Sequence, residues 1–284
     1  MSCKSIVFAS VTICLLVHAA TSAQAAISVA GELIVDLRAV DASAASNVWA
    51  NQATGGDSVG DFTAVNNADV QMIGGETGVL FDGSDGAIFR AGLAPATITG
   101  SSDRSIEVWA YNPSIGQHET MIAWAHRRGD GGSHMSFTFG SNNTHGAVGH
   151  WGAQDMRWLP APTTGAWHHL VYVHGDGADT KLYIDGVPNY TENVVLNTLS
   201  TAGTFVNLGA QNADAAGALN AGERFTGYLA NVRVHSGALT ADDVLNNFNE
   251  GILDTVIPEP SSIVLLGTSL LGLVGLRRRR RRRS

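Results

Sequence analysis

Few residues in this 284-residue chain have the types and spacing that chemistry needs. Glycosidic hydrolysis with retention requires two carboxylates about 5–5.5 Å apart. On one strand that means acids two or four positions apart, because alternate side chains share a face. No Glu here is followed two positions later by Asp, and Glu107 has Ser105 and Trp109 as same-face neighbours. There is no His-Glu-x-x-His pair to hold zinc. His168 and His169 are adjacent, so on a strand they diverge and cannot chelate one ion together. These patterns argue against an enzyme.

A binding site is better supported, with a purely structural module for surface display as the alternative. The stretch from His145 to Trp158 sets His145, His150, Trp151, Asp155, Arg157 and Trp158 among glycines. Exposed tryptophans stack on sugar faces while neighbouring polar groups read hydroxyls, which makes His150, Trp151, Asp155, Arg157 and Trp158 the candidate ligand-binding set. The competing role for Trp151 or Trp158 is to fill the gap between two sheets. A second candidate is the loop His126 to His134, with Arg127, Arg128 and Asp130 beside glycines. Calcium needs 6–8 oxygens. Asp82, Asp85, Asp176, Asp179 and Asp214 lie in turn-like stretches that could offer some. No EF-hand spacing assembles them, and Asp82 and Asp185 have a rival use in turns, so calcium stays open as a cofactor with no ligand set.

The elements that must position these residues read as strands. Alternation places Ile106, Val108 and Ala110 on one face of Ser105–Tyr111, with Glu107, Trp109 and Tyr111 on the other. Gly31–Leu37, Thr120–Ala125, His134–Phe139, Trp167–His174, Lys181–Asp185, Thr204–Leu208 and Tyr228–His235 complete the set. Asp185-Gly186 suits a two-residue hairpin turn. Thr240 is a helix N-cap, Asp242 and Asp243 favour the first turn, and Gly251 suits the C-cap. Val244, Leu245 and Phe248 form that helix's apolar stripe. Such a pattern predicts an all-β sandwich of two antiparallel sheets with one short C-terminal helix.

Charge narrows the partners. Seven of the 17 basic residues form the run Arg277–Arg283, and another is Lys4. Between them, nine basic residues face 25 acidic ones, a balance that repels nucleic acid. Calcium, cationic groups or neutral glycans fit such a surface better.

Both ends read as sorting segments. Lys4, the apolar stretch Ile6–Val17 and Ala23-Gln24-Ala25 make residues 1–25 a secretory signal peptide that holds both cysteines, Cys3 and Cys14. The folded domain then spans 26–254 and contains no disulfide. Residues 255–284 hold Pro258-Glu259-Pro260, an apolar run over 263–276 and the arginines. As a helix, those 14 residues reach about 21 Å, less than the roughly 30 Å hydrocarbon core. The arginines would keep that end in the cytoplasm during export, as a transient membrane anchor.

These C-terminal features resemble the PEP-CTERM sorting signal of Gram-negative bacteria. That resemblance implies cutting near Pro258, Glu259 and Pro260 by an exosortase-type membrane transpeptidase, and a place at the cell envelope or outside the cell. The central segments Val79–Gly83, Ser105–Trp109, Trp167–Leu170, Leu182–Gly186 and Phe225–Val234 resemble, in order and spacing, the LamG-like jelly roll of the concanavalin A-like superfamily. It implies two curved sheets, ligand or calcium sites in loops at one rim, and glycan or exopolysaccharide as partner. The superfamily also includes glycoside hydrolases, but their Glu-x-Asp-x-Glu signature is missing. The Trp-His-His pattern implies that His169 points inward with Val171 and Val173. Asn47–Gly75 fits the family poorly and is expected to be an elaborated loop region.

Overall fold

The computed structural model describes residues 26–84, 88–128, 131–175, 179–199 and 205–252. The signal-peptide segment and the C-terminal sorting segment lie outside the described residues, as do Asp85, Asp130 and Asp176. Among the described residues, alternation and turn chemistry produce fifteen strands: β1 (Leu33–Arg38), β2 (Ala42–Ser43), β3 (Val48–Trp49), β4 (Phe62–Ala64), β5 (Val70–Ile73), β6 (Glu76–Asp82), β7 (Phe89–Leu93) and β8 (Arg104–Tyr111). Then follow β9 (Thr120–Ala125), β10 (His134–Thr138), β11 (Trp167–His174), β12 (Asp179–Ile184), β13 (Val187–Asn193), β14 (Phe205–Leu208), β15 (Thr226–His235) and the helix α1 (Ala241–Glu250).

The strands form two antiparallel sheets. The first runs β13-β12-β11-β8-β15-β6-β5, with β1 also paired to β15. The second runs β10-β9-β14-β7-β4-β3-β2. Their facing sides make one core. Ile106, Val108, Leu170, Tyr172, Val232 and Val234 from the first sheet meet Ile122, Trp124, Met135, Phe137 and Leu208 from the second. Each fully buried indole finds an acceptor for its N–H: Trp49 donates to Arg38 O at 2.7 Å and Trp124 to Ile98 O at 3.2 Å. The stretch 47–75 is not only loop. It supplies β3, β4 and β5, and buries Trp49 and Phe62 in the core, where Trp49 meets Phe89 edge-on at 5.7 Å.

The first sheet's outer face is covered as well. Thr240 caps α1: its hydroxyl accepts from Asp243 N, and the Asp243 side chain accepts from Thr240 N. The helix lies over Val171, Val173 and Tyr183, burying Val244 with them in a second, smaller cluster. His169 is buried on the same face as Val171 and Val173, as expected, but beneath α1 rather than in the core between the sheets, which corrects where that inward face lies. The pairing register explains this: on β8 and β11, Glu107 faces Val171 and Trp109 faces His169 across the ladder, all on the helix side. The apolar stripe of α1 is also adjusted. Leu245 is 46% exposed, and Asn247 takes the buried place. The predicted hairpin is present: Asp185 (φ 53°) and Gly186 (φ 76°) connect β12 to β13 with both turn residues in the left-handed region.

Candidate functional site

The loop after β10 returns along that strand's free edge. His134 N donates to His150 O at 3.2 Å, and Ser136 N and Gly149 N exchange bonds with Gly149 O and Ser136 O. Pairing of this kind forces alternation. His150 goes inward, and the chain turns at Trp151, whose φ of 82° is rare for a non-glycine residue. Asp155 holds that turn by accepting from Trp151 N at 2.6 Å, and burial raises its carboxyl above the usual range.

This geometry divides the candidate set. His150 is fully buried. Its Nδ1 pairs with Gln154 O at 2.8 Å and its Nε2 with the Tyr172 hydroxyl at 3.1 Å, while burial drives its pKa down to about 3. Trp158 is 5% exposed and donates to Thr138 O at 3.1 Å within the main core. Neither can reach a ligand, because their polar atoms are satisfied inside. Trp158 is the sheet-filling tryptophan; Trp151, 38% exposed, is not.

Two surface features remain. At one, the Arg127 guanidinium stands 5.6 Å from the Trp151 ring and pairs with Glu223. Glu223 also accepts from His118 Nδ1 at 2.9 Å and Gln211 Nε2 at 2.6 Å. Burial works to raise the Glu223 carboxyl, yet His118 and Arg127 hold it down to about 2. The His118 and His145 rings meet at 4.6 Å, and burial then His118 lower the His145 pKa. Arg127 belongs to the second candidate loop, so the fold joins the two stretches that the sequence marked separately.

At the other, a groove of about 370 Å³ opens between this loop and β13, lined in part by Asn143, Thr144, Asp155, Arg157, Tyr190 and Glu192. The Arg157 guanidinium lies 5.6 Å from the Tyr190 ring centre and donates to Asn143 O at 3.4 Å. Asp155 and Arg157 were legible in the sequence. Tyr190 and Glu192 were not: they alternate along β13, and only tertiary packing brings that strand beside the loop.

The outer face of the first sheet holds a third polar cluster. Glu107 is buried beneath α1 and accepts from Asn247 Nδ2 at 2.7 and 3.1 Å. His169 Nε2 lies 3.2 Å and His235 Nε2 3.0 Å from its carboxylate oxygens, and Arg233 stands 3.8 Å away. Burial works to raise its pKa, but the bonds and charges of His169 and His235 prevail and hold the carboxylate far below the usual range. Glu107 is thus not isolated; its partners come from β11, β15 and α1, at separations of 62 to 140 residues. It is too deeply buried to touch a substrate, and its role is structural.

Other candidates are accounted for locally. Asp82 Oδ1 accepts from Ser84 N at 2.8 Å, and Asp214 Oδ1 accepts from Ala216 N and Ala218 N. Both serve turns, as Asp185 does through His168 and His169 N. Among the described residues no three His, Cys, Asp or Glu side chains converge on a metal-sized point. The spacing Gly56-x-Ser58-x-Gly60 matches a nucleophile elbow. However, Ser58 lies in the β3–β4 loop with its Oγ accepting from Asn51 Nδ2 at 3.1 Å, and a strand follows rather than a helix.

The two antiparallel sheets packed on one core define a jelly-roll sandwich. The chain belongs to the laminin G family of the concanavalin A-like lectin/glucanases superfamily, whose model matches residues 81–245. A PEP-CTERM protein-sorting motif matches residues 256–281, which marks an exported, surface-sorted protein. Among the described residues no helix is long and apolar enough to cross a membrane, and the run 263–276 lies outside them. No curated protein matches the sequence. Among solved structures, domain 4 of an extracellular arabinanase from Geobacillus stearothermophilus, in complex with arabinotriose, is similar at 17% identity and TM-score 0.53. It covers 77% of this chain and 98% of that one. Trypanosoma rangeli sialidase in complex with sialic acid is similar at 16% identity and TM-score 0.53, covering 82% of this chain and 35% of the sialidase. The binding domain of Paraclostridial Mosquitocidal Protein 1 is similar at 12% identity and TM-score 0.50, covering 77% of this chain and 52% of that one. The chain thus spans about half of one of these neighbours and about a third of another. At these identities the likeness is one of fold.

Proposed function

We propose that this exported protein binds glycan, an exopolysaccharide of the cell envelope or matrix, through the groove between the 143–157 loop and β13. The carrying observation is the Arg157 guanidinium over the Tyr190 ring, with Asp155 and Glu192 lining the same open groove. An aromatic face beside charged hydrogen-bonding groups suits a polyol ring: the face takes its C–H side, and the charges take its hydroxyls. Trp151, exposed at the loop tip beside Arg127, offers a second ring outside the groove lining. Before release or re-attachment by an exosortase-type enzyme at Pro258-Glu259-Pro260, the run 263–276 tethers the domain to the membrane. The fold neighbours include a glycan-complexed domain, which supports the ligand class.

Retention on immobilised polysaccharides, with and without chelator, tests this reading. Tyr190→Ala and Trp151→Ala are each expected to weaken retention roughly five- to tenfold, the scale of one lost ring contact. Unchanged retention in both variants would overturn it. Loss on chelation with recovery in calcium would place that ion at the site.

One observation favours a second reading, a divergent glycoside hydrolase. Asp155 and Glu192 line one groove, and burial raises Asp155 as a general acid requires. Release of reducing sugar from the retained polymer, abolished by Asp155→Asn, would select hydrolysis. Retention without release selects binding.

A further inference from the structure

The outer face of the first sheet carries a row of aromatic rings that belong to neither hydrophobic core: Trp109, Tyr111, Trp167 and Tyr228. Tyr111, Trp167 and Tyr228 are half-buried. Their orientations are set by the fold. Trp167 Nε1 donates to Ile73 O at 2.9 Å, and its indole lies across Gly74 and Gly78. A Cβ at those positions would stand 3.2 and 3.0 Å from the ring, so the glycines make room for it to lie flat. Tyr111 meets Trp167 edge-on at 5.7 Å and Tyr228 at 6.0 Å. Tyr228 in turn anchors its hydroxyl on Gln71 at 3.2 Å, and Trp109 is backed by Phe248 of α1 in a stacked pair at 5.8 Å.

Tyr111 and Trp167, with the nearly buried Trp109 at the base, wall a groove of about 450 Å³ bounded by Glu76 and Ile252. Its size is within the range of small-ligand sites. The hydrogen bond to Ile73 O occupies the polar edge of Trp167, so its ring face is what that side chain offers the groove. Among the lining residues Glu76 carries the only charge, whereas the first groove contains Arg157. Aromatic faces with no cationic lining residue favour a neutral sugar and disfavour a uronate or sulfated one.

We propose that the groove of Trp109, Tyr111 and Trp167 is a second saccharide site, which takes neutral sugars by stacking on the half-buried Tyr111 and Trp167 rings. It shares no lining residue with the first groove, so one molecule could hold two polysaccharide strands and cross-link them. The ligand class follows the reading given under Proposed function; the site does not depend on it.

Calorimetric titration of the full chain with two hexasaccharides tests the proposal: neutral chitohexaose and acidic oligogalacturonate. Tyr111→Leu, which keeps much of the volume and removes the ring, is expected to weaken chitohexaose at this site roughly five- to tenfold. Gly165→Asn supplies an independent check. Gly165 lines the groove, a side chain there meets no atom within 4 Å, and its φ of 76° is one that Asn tolerates. It too is expected to reduce binding, with the thermal midpoint confirming a folded chain. The acidic hexamer is expected to bind more weakly than chitohexaose. If both variants bind chitohexaose as the parent does, or if the parent does not bind it, the proposal fails. Loss in Tyr190→Ala alone would likewise overturn it while leaving the loop groove in place. Loss in Tyr111→Leu and Gly165→Asn, with Tyr190→Ala unaffected, would support it and remove the loop groove instead.

Discussion

Replacing Glu107 with Gln changes the charge of one buried side chain and almost nothing of its shape. The carboxylate accepts two bonds from Asn247 and one each from His169 and His235, with Arg233 close by. In Gln, the amide nitrogen must face donors where an oxygen stood, leaving a cation and a buried donor poorly matched. The expected cost at pH 7 is about 2 kcal/mol, within the range for a buried group losing a charged partner. The pH dependence is more diagnostic than the size. The folded carboxyl sits below its ordinary value of 4.5. Its stabilisation is therefore complete above the unfolded pKa and is lost as pH falls towards the folded one. In that window the unfolded chain takes up one proton that the native chain refuses, a slope of about 1.4 kcal/mol per pH unit. The gap between parent and Glu107→Gln is expected to be constant from pH 7 to about pH 5, then to close by pH 3. Urea denaturation at fixed pH values reads this directly. Glu223 also titrates low, but it is present in both proteins and cancels. A gap that stays constant down to pH 3 would refute the assignment of Glu107 as a charged hub.

Asn247→Ala should cost about 2–3 kcal/mol, because it removes the bonds to Glu107 and those to Ser28 N at 2.7 Å and Ser28 O at 3.0 Å. Hydrogen exchange should then rise selectively at the amide of Ser28, and unchanged protection there would count against the clasp. Trp158→Ala is expected to cost about 3–5 kcal/mol as a core cavity, whereas Trp151→Ala should cost about 1 kcal/mol or less, the value of an exposed cation–π contact. Equal losses in thermal or urea unfolding would reverse the assignment of which tryptophan is structural.

The sequence by itself determined what is local. Alternation placed Ile106, Val108 and Ala110 opposite Glu107 and Trp109, since side chains on a strand repeat every two residues whatever surrounds them. The Asp185-Gly186 turn and the Thr240 cap were legible for the same reason: their geometry closes within four residues. The family motifs carried the sandwich and the sorting signal. What alternation cannot say is which face another element will cover. His150 and Trp151 had to diverge as neighbours, but only pairing of their loop with the edge of β10 sent the histidine inside and the tryptophan out. His169 likewise had to share a face with Val171, and it was α1, arriving some seventy residues later, that made that face an interior. The partners of Glu107 and the Tyr190 side of the groove come from distant strands as well. Burial and charge pairing are properties of what packs against a residue, and that is decided by tertiary contacts with no periodicity to read.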